Sequence, residues 1–551
     1  MKVYERIAHA FKGEGVTHIF GMMGDGNMYW WDALDKLGGV NLWEVRHEGV
    51  GLGMADGWAR HTHDVGVCTA TCGPGVTQLA TAFVTAARAQ SPLVAFVGEF
   101  PRRDQDYVQK YDQLTFAHAC EAGFVRIETP EYTDEAIRKA FYTARLESRP
   151  IMLSAPMDVQ QAAFEDDDPY VPSSTLFASS GLPRADEESL QKAADAIAQA
   201  KKPVIVAGRG AMWSGAGEAI QSLAKRTGAL FATSLRAKGW MSDEDYYAGI
   251  SGLYATKTAM DYFHDADLVI AVGASMNRYT TEHGYLYPNA RYVHLDSKPH
   301  VMMGMGRSAD IYLNTDARLG VEALDALLAK RGHKNTGFRT GDVLERLANQ
   351  YEDRTEFDVE PGTMDPRALC RAIDEAIPQN IAICGGSGTS SGFVTMNVTK
   401  PRPFYHTAQF FGCIGQMLPA AMGIIAASGM KPLALIDGDA STMMHLSDFD
   451  TAVRYKLPLL IVVQNDQALG SEYHKMKAHK MDFDLSTIPT PDMGGIARAY
   501  GGRGTLATTV EQARAAAAEW VKDPAPTIID CRISRNVLTI ANRRVLYGMD
   551  E

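Results

Sequence analysis

Short runs rich in Val, Ile and Leu recur along the chain, each closing on a glycine-containing or polar turn, with stretches of helical periodicity between them. This alternation constrains the fold more than any other feature. Strands joined through helices pair in parallel, because a parallel pair needs a long crossover connection. The first group holds His18-Ile19-Phe20-Gly21, Leu42 to Val45, Val65 to Thr69 and Leu93 to Val97. The second holds PVIVAG (Pro203 to Gly208), ALFATS (Ala229 to Ser234), DLVIAVG (Asp267 to Gly273) and RYVHLD (Arg291 to Asp296). The third holds IAIC (Ile381 to Cys384), PLALIDGD (Pro432 to Asp439), LPLLIVVQND (Leu457 to Asp466) and TIIDC (Thr527 to Cys531). A chain of 551 residues exceeds what one hydrophobic core sustains. The expected fold is α/β, with three doubly wound parallel-sheet domains at 1–165, 184–332 and 364–551. The acidic, Ser/Pro-rich FEDDDPYVPSSTLFASSGLP (Phe164 to Pro183) reads as one linker. Residues 331–365 read as a second, with a helix around GDVLERLANQY.

Charge and cysteine usage narrow the class. A net charge of −12 argues against a nucleic-acid footprint, which needs a basic face. The seven cysteines are scattered, with no C-x-x-C pair, so neither a disulfide framework nor a zinc site is expected. The opening MKVYERIAHAFKGEGV lacks the apolar core of a signal peptide, and no run approaches the roughly 18 apolar residues of a membrane span. A cytoplasmic protein with no membrane partner is the expectation.

The most informative stretch is IDGDASTMMHLSDFDTAVRYKLPLLIVVQNDQALG. One apolar run ends in Asp437-Gly438-Asp439-Ala440-Ser441, and the next ends in Gln464-Asn465-Asp466. Ligands of open parallel sheets bind at the carboxyl ends of the strands, which places Asp439 and Asp466 on one rim. A hard cation such as Mg²⁺ takes one or two carboxylates together with phosphate oxygens. Gly438 permits close backbone approach, and the amides opening the helix after Ser441 suit a diphosphate. Taken singly, each Gly-Asp turn is equally a helix cap.

The same stretch resembles the thiamine-diphosphate fingerprint, a GDG and an NN separated by a spacer, with LP-x-x-VVV-x-NN matched by Leu457 to Asp466. The resemblance implies Mg²⁺ held by Asp439, Asp466 and the backbone carbonyl of Ala468, with Gly438, Ala440 and Ser441 against the diphosphate. This chain departs from the pattern at Ala440, which replaces a glycine, and at Asp466, which replaces an asparagine.

WEVRHEGVGLGMADGWAR places Glu48 after a short strand, at the start of a small-residue helix. Alone it is an acid suited to the helix dipole. The segment, however, is similar to the RHE-x-x-A-x-x-x-A-x-GYAR stretch of acetolactate-synthase-like enzymes. There the glutamate activates the cofactor by favouring the imino tautomer of the aminopyrimidine. TCGPGVTQLATAFVTAARAQSPLVAFVGE resembles the family's TSGPG segment, which implies that the loop carrying Gly73 and Gly75 walls the active site. YVQKYDQ places Gln109 at the relatives' active-site glutamine; on its own it reads as an exposed polar residue. YHTAQFFGCIGQMLPAAMGIIAA matches the aminopyrimidine-holding segment, with Ile414 as the wedge that bends the cofactor and Gly412 and Ile414 as backbone contacts. Gly386-Ser387-Gly388-Thr389 is read as a diphosphate-contacting turn.

The resemblance covers nearly the whole chain in family order. It implies a homodimer as the minimum active unit, with Glu48 facing another subunit's cofactor, and a homotetramer as a common assembly. For the central domain it leaves FAD, ADP or no ligand open. GRGAMWSG lacks the third glycine of a dinucleotide fingerprint, and the flavin stretch is only partly kept. The expected activity is lyase or transferase chemistry, decarboxylation or carboligation, on a small 2-keto acid, 2-hydroxyketone or diketone. The candidate substrate pocket holds Asp25, Gly26, Asn27, Cys72, Gln109, His406, Gln467 and the run Ser471-Glu472-Tyr473-His474. Asp25 and His474 are readable as proton carriers or as structural hydrogen-bonding residues. A relative kept for nucleotide or protein binding and a flavin-dependent keto-acid oxidase stand as alternatives.

Overall fold

A computed structural model describes residues 1–166, 168–176, 181–298 and 306–548. The first domain carries β1 (His18–Gly21), β2 (Asn41–Glu44), β3 (Gly66–Ala70), β4 (Leu93–Glu99), β5 (Gly123–Arg126) and β6 (Pro150–Pro156). They form one sheet in the order β2-β1-β3-β4-β6-β5, and every pairing is parallel. The central domain holds β7 (Pro203–Ala207), β8 (Leu230–Thr233), β9 (Tyr247–Ile250), β10 (Leu268–Val272), β11 (Arg291–Asp296) and β12 (Ile311–Asn314). Its parallel order is β12-β11-β10-β7-β8-β9. The third domain holds β13 (Ala382–Gly385), β14 (Leu433–Gly438), β15 (Leu459–Asn465), β16 (Arg503–Ala507) and β17 (Thr527–Arg532), ordered β13-β14-β15-β17-β16 and again parallel. Strands such as β4 and β15 are buried along their whole length, as sheets covered on both faces require.

The first and third domains share one continuous apolar core. At its centre the helix Glu48–Thr62 crosses the helix Met417–Ala427. The sequence of the latter, MLPAAMGIIAA, has no polar face and is buried almost throughout, so it is stable only when covered on every side. Its cover is the glycine-rich stretch of the other helix. Each glycine there costs about 1 kcal/mol of helix propensity, which the close crossing offsets. A Cβ at Gly53 would lie 2.5 Å from the Pro419 Cβ, and one at Gly51 would lie 2.9 Å from the Gly21 Cα. Polar ties reinforce the contact. The Arg46 amide donates to Asp448 at 2.8 Å, its guanidinium to Asp450 at 2.6 Å, and Arg60 to the Thr407 carbonyl at 2.9 Å.

The central domain docks through two arginines. Arg209 donates to the Ala89 carbonyl and to Gln90, both at 2.8 Å, and Arg236 donates to the Arg88 carbonyl at 2.8 Å. These carbonyls end the helix Ala80–Ala89, the negative pole of its dipole, so cations there are favourable. The segment after Phe164 is less free than a linker: Tyr170 and Ser173 both donate to the buried carboxylate of Glu14, at 2.6 and 2.7 Å. Its residues 167 and 177–180 lie outside the described ones. The second connecting segment holds the helix Gly341–Ala348.

Candidate active site

One group of candidate residues gathers at the carboxyl ends of β1 to β4. After β1, the buried Asn27 accepts from the Gly24 amide at 2.8 Å and donates to Thr69 Oγ1 at 2.8 Å, which uses its amide to shape the turn. Gly26 is confined: a Cβ would lie 2.8 Å from the Cys72 amide nitrogen. Asp25, on the same turn, is exposed. After β3, Gly73 has φ +65° and a Cβ there would lie 2.8 Å from both the Cβ and the carbonyl oxygen of Gln109. Only glycine meets both demands. The Cys72 thiol points at the Gln109 carbonyl at 3.6 Å, and burial pushes its pKa up to about 11. The thiol is packed against the turn.

Glu48 opens its helix directly after His47, whose Nδ1 accepts from the Gly49 amide at 3.0 Å. The carboxylate is half-buried, and a Cβ on Gly75 would lie 3.2 Å from its Oε1. No hydrogen bond engages it among the described residues. Gln109 holds a buried Oε1 with no partner in the same region. Unsatisfied buried acceptors are costly, and such groups mark places where a ligand or water completes the set.

The second group lines one cavity in the third domain: Ser387, Gly388, Thr389, Ile414, Gly438, Asp439, Ala440, Ser441, Asp466, Ala468, Ser471 and Glu472. Gly388 (φ +76°) has nothing nearer to its Cβ position than Ile414 and Ser471, both at 4.0 Å. Gly412 (φ +74°) is open on its Cβ side. Gly386 sits behind the cavity, where a Cβ would collide with the Asp437 carboxylate. Ser441 donates to Asp437 at 2.6 Å and accepts from the Gly415 amide at 2.8 Å, tying the Ile414 loop to the end of β14. The helix there begins at Asp439, three residues earlier than the sequence reading places it, because Gly438 takes the cap position with extended backbone.

Asp439 and Asp466 both line this cavity, close enough for the charge of one to act on the other. Burial, with the Asp439 charge beside it, pushes the Asp466 carboxyl up to about 7. Burial also raises Asp439, against hydrogen bonds from Thr490 and from the Ala440 and Gln467 amides. Each acid has one oxygen fixed: Asp466 Oδ1 accepts from the Ala468 amide at 3.0 Å, and Asp439 Oδ2 from Thr490 at 2.7 Å. Gln467 adopts φ +56°, an unusual conformation for this residue and a common sign of a functional turn.

Two candidates lie elsewhere. His406 stacks near Phe404 beside Arg60, and burial with that neighbouring charge holds it well below its usual pKa, at the junction between domains. His474 is buried against Tyr473, pushed down to about 4 by burial, and does not line the cavity. Sequence reasoning missed Thr490, which reaches Asp439 from 51 residues away and carries no motif.

Three family models match the chain in succession: the thiamine pyrophosphate enzyme N-terminal TPP binding domain at residues 1–119, the central domain at 190–327 and the C-terminal TPP binding domain at 386–531. The chain belongs to the thiamine pyrophosphate enzymes. This thiamine pyrophosphate enzyme is 29% identical to the acetolactate synthase large subunit of Parasynechococcus marenigrum (strain WH8102), over 96% of its own length and 86% of that protein. It is 28% identical to the acetolactate synthase isozyme 2 large subunit of Escherichia coli (strain K12), over 96% and 94% of the two chains. It is 27% identical to the sulfoacetaldehyde acetyltransferase of Castellaniella defragrans, over 92% and 88%. It is an acetolactate-synthase-like thiamine pyrophosphate enzyme, and carboligase or lyase chemistry on 2-keto acids fits it. No helix among the described residues is long and apolar enough to cross a membrane.

Proposed function

We propose that this enzyme makes or cleaves a carbon–carbon bond beside the carbonyl of a small 2-keto acid, 2-hydroxyketone or diketone, with thiamine diphosphate and Mg²⁺. The reading is carried by the pairing of Asp439 with Asp466 at the mouth of a hydroxyl-lined cavity. Two buried like charges repel, and a divalent cation removes that penalty. Among the described residues no three acid, His or Cys side chains converge, so the clamp supplies two carboxylates and the Ala468 carbonyl, leaving the remaining positions to phosphate oxygens and water. Ser387, Gly388, Thr389 and Ala440 would border the diphosphate, and Ile414 would pack against the cofactor from the same cavity wall.

When bound, the cofactor supplies a carbon nucleophile and a sink for an electron pair. Glu48, a carboxylate with no competing hydrogen bond among the described residues, would hold and exchange a proton with the cofactor's aminopyrimidine. Gln109 offers a free amide to the reacting carbonyl, and Gly73 and Gly75 keep the wall close. Ser471 and Glu472 give the rim a polar lining toward the substrate.

The cavity residues all come from the third domain, whereas Glu48, Gly73, Gly75 and Gln109 belong to the first. We read the two groups as halves completed by a second copy of the chain, with a homodimer as the smallest active unit, a homotetramer as the larger assembly and the cytoplasm as its place. The central domain fits a flavin poorly. At the ends of β7 and β10 the amides of Gly208, Gly210 and Gly273 are committed to Val272, Gly273 and Leu295 carbonyls at 2.9, 3.0 and 2.9 Å. Arg209, in the same turn, is spent on the first domain.

Calorimetric titration with thiamine diphosphate and Mg²⁺, followed by NMR of a keto-acid and diketone panel, tests this reading. Absence of coupled uptake would overturn it.

A further inference from the structure

Beyond the helix Gly470–Ala478 the chain makes a single tight turn, Phe483–Ser486, and doubles back across the Asp466 turn. The Leu469 amide donates to the Ser486 carbonyl at 2.8 Å and the Ile488 amide to the Gln467 carbonyl at 2.8 Å, with Ala468 and Thr487 paired as an antiparallel bridge. The far side of this strap is fixed as well. Arg535 reaches Thr487 Oγ1 at 3.4 Å, and Arg532 reaches the Thr490 carbonyl at 3.5 Å. At its end the Thr490 hydroxyl donates to Asp439 Oδ2 at 2.7 Å, in preference to the Ile488 carbonyl at 3.3 Å.

We propose that Thr490 is a positioning residue of the cation clamp, holding one oxygen of Asp439 so that the other faces Asp466. The argument is electrostatic. Two buried carboxylates without a cation lower their repulsion by rotating apart about their side-chain bonds. Asp466 is held against this by the Ala468 amide. Asp439 leads a six-residue helix, and its side chain is held by a hydroxyl arriving from the strap. Thr490 is the one side chain bonded to Asp439 among the described residues, with the Ala440 and Gln467 amides as backbone support, so the clamp exists before the ion arrives. A hydroxyl donates one hydrogen, so Thr490 bonded to Asp439 also fixes the direction of the strap over the Asp466 turn. Such outer partners of metal-binding carboxylates typically matter by about 10–100-fold in metal affinity.

This inference rests on the reading of Asp439 and Asp466 as cation ligands. Its test is Mn²⁺ affinity, read by electron paramagnetic resonance on the full chain with thiamine diphosphate present, for wild type, Thr490→Val and Thr490→Ser. Valine keeps the shape and removes the donor; serine keeps the donor. The expected result is a Kd raised at least about 10-fold in Thr490→Val, with Thr490→Ser close to wild type. Equal affinity in wild type and Thr490→Val overturns the role of Thr490 and leaves the clamp standing. Wild type that takes up no Mn²⁺ overturns the clamp reading and this inference together. If the valine chain does not fold, Thr490→Ala is measured in its place, and affinity equal to that of Thr490→Ser overturns the proposal.

Discussion

Gly423 lies against the backbone of Met54 so closely that a Cβ on it would collide with the Met54 carbonyl oxygen. Gly57 stands in the same relation to Ala420, so the two helices are locked by reciprocal glycines. Neither glycine has a positive φ, so the demand is for space and not for conformation. Gly423→Ala should therefore destabilise the joined first and third domains by about 1–3 kcal/mol, the usual penalty of overpacking. A urea midpoint equal to that of wild type would show that the helices separate freely.

Glu48 should matter to chemistry and little to folding. Its carboxylate has no hydrogen-bond partner among the described residues, so Glu48→Gln is expected to leave the melting temperature and cofactor affinity near wild type. Turnover should fall about 10²–10⁴-fold, the usual worth of a positioned proton carrier. Unchanged turnover in a steady-state assay would remove Glu48 from the mechanism.

His445 gives the fold an acid-sensitive point. It is buried beside His47, with ring centroids 5.4 Å apart, and burial with that neighbour pushes its pKa down to about 4. The folded chain keeps it neutral, whereas the unfolded chain takes up a proton below about pH 6.5. Stability is thus intact above pH 6.5, declines as pH falls toward 4, and loses nothing further from this group below that. The whole effect is at most about 3 kcal/mol. His445→Asn should flatten the decline in denaturation midpoint between pH 7 and 5, and a profile parallel to wild type would count against it.

The committed amides at the ends of β7 and β10 predict a purified protein without a visible flavin band. FAD added to it should not raise its melting temperature. A stoichiometric flavin released on denaturation would contradict the placement of Gly208, Gly210 and Gly273.

Much of this was readable before any coordinates. Buried strands such as β4, β10 and β15 are continuous apolar runs, and that run is itself the signal. The strands β5, β6, β9, β12 and β16 were not anticipated. Of these, β5, β12 and β16 are partly solvated, so a strand such as RGTLA in β16 has no apolar run to detect, whereas the buried β6 (PIMLSAP) and β9 (YAGI) have runs broken by Pro, Ser or Gly. Asp439 and Asp466 were legible from their positions at strand ends. Thr490 and the His47–His445 pair were not, since these contacts join segments far apart in sequence with no pattern at either end. His406 and His474 carry no signal of their own in the sequence, and neither lines this cavity.

The proposed homodimer, in which Glu48 of one copy meets the Asp439–Asp466 cavity of the other, has a genetic consequence. A chain disabled only at residue 48 and another disabled only at residue 439 each form dead assemblies by themselves. Co-expressed, they should assemble mixed pairs in which one centre draws every working part from whichever chain retains it. Two inactive alleles should then complement each other in one cell.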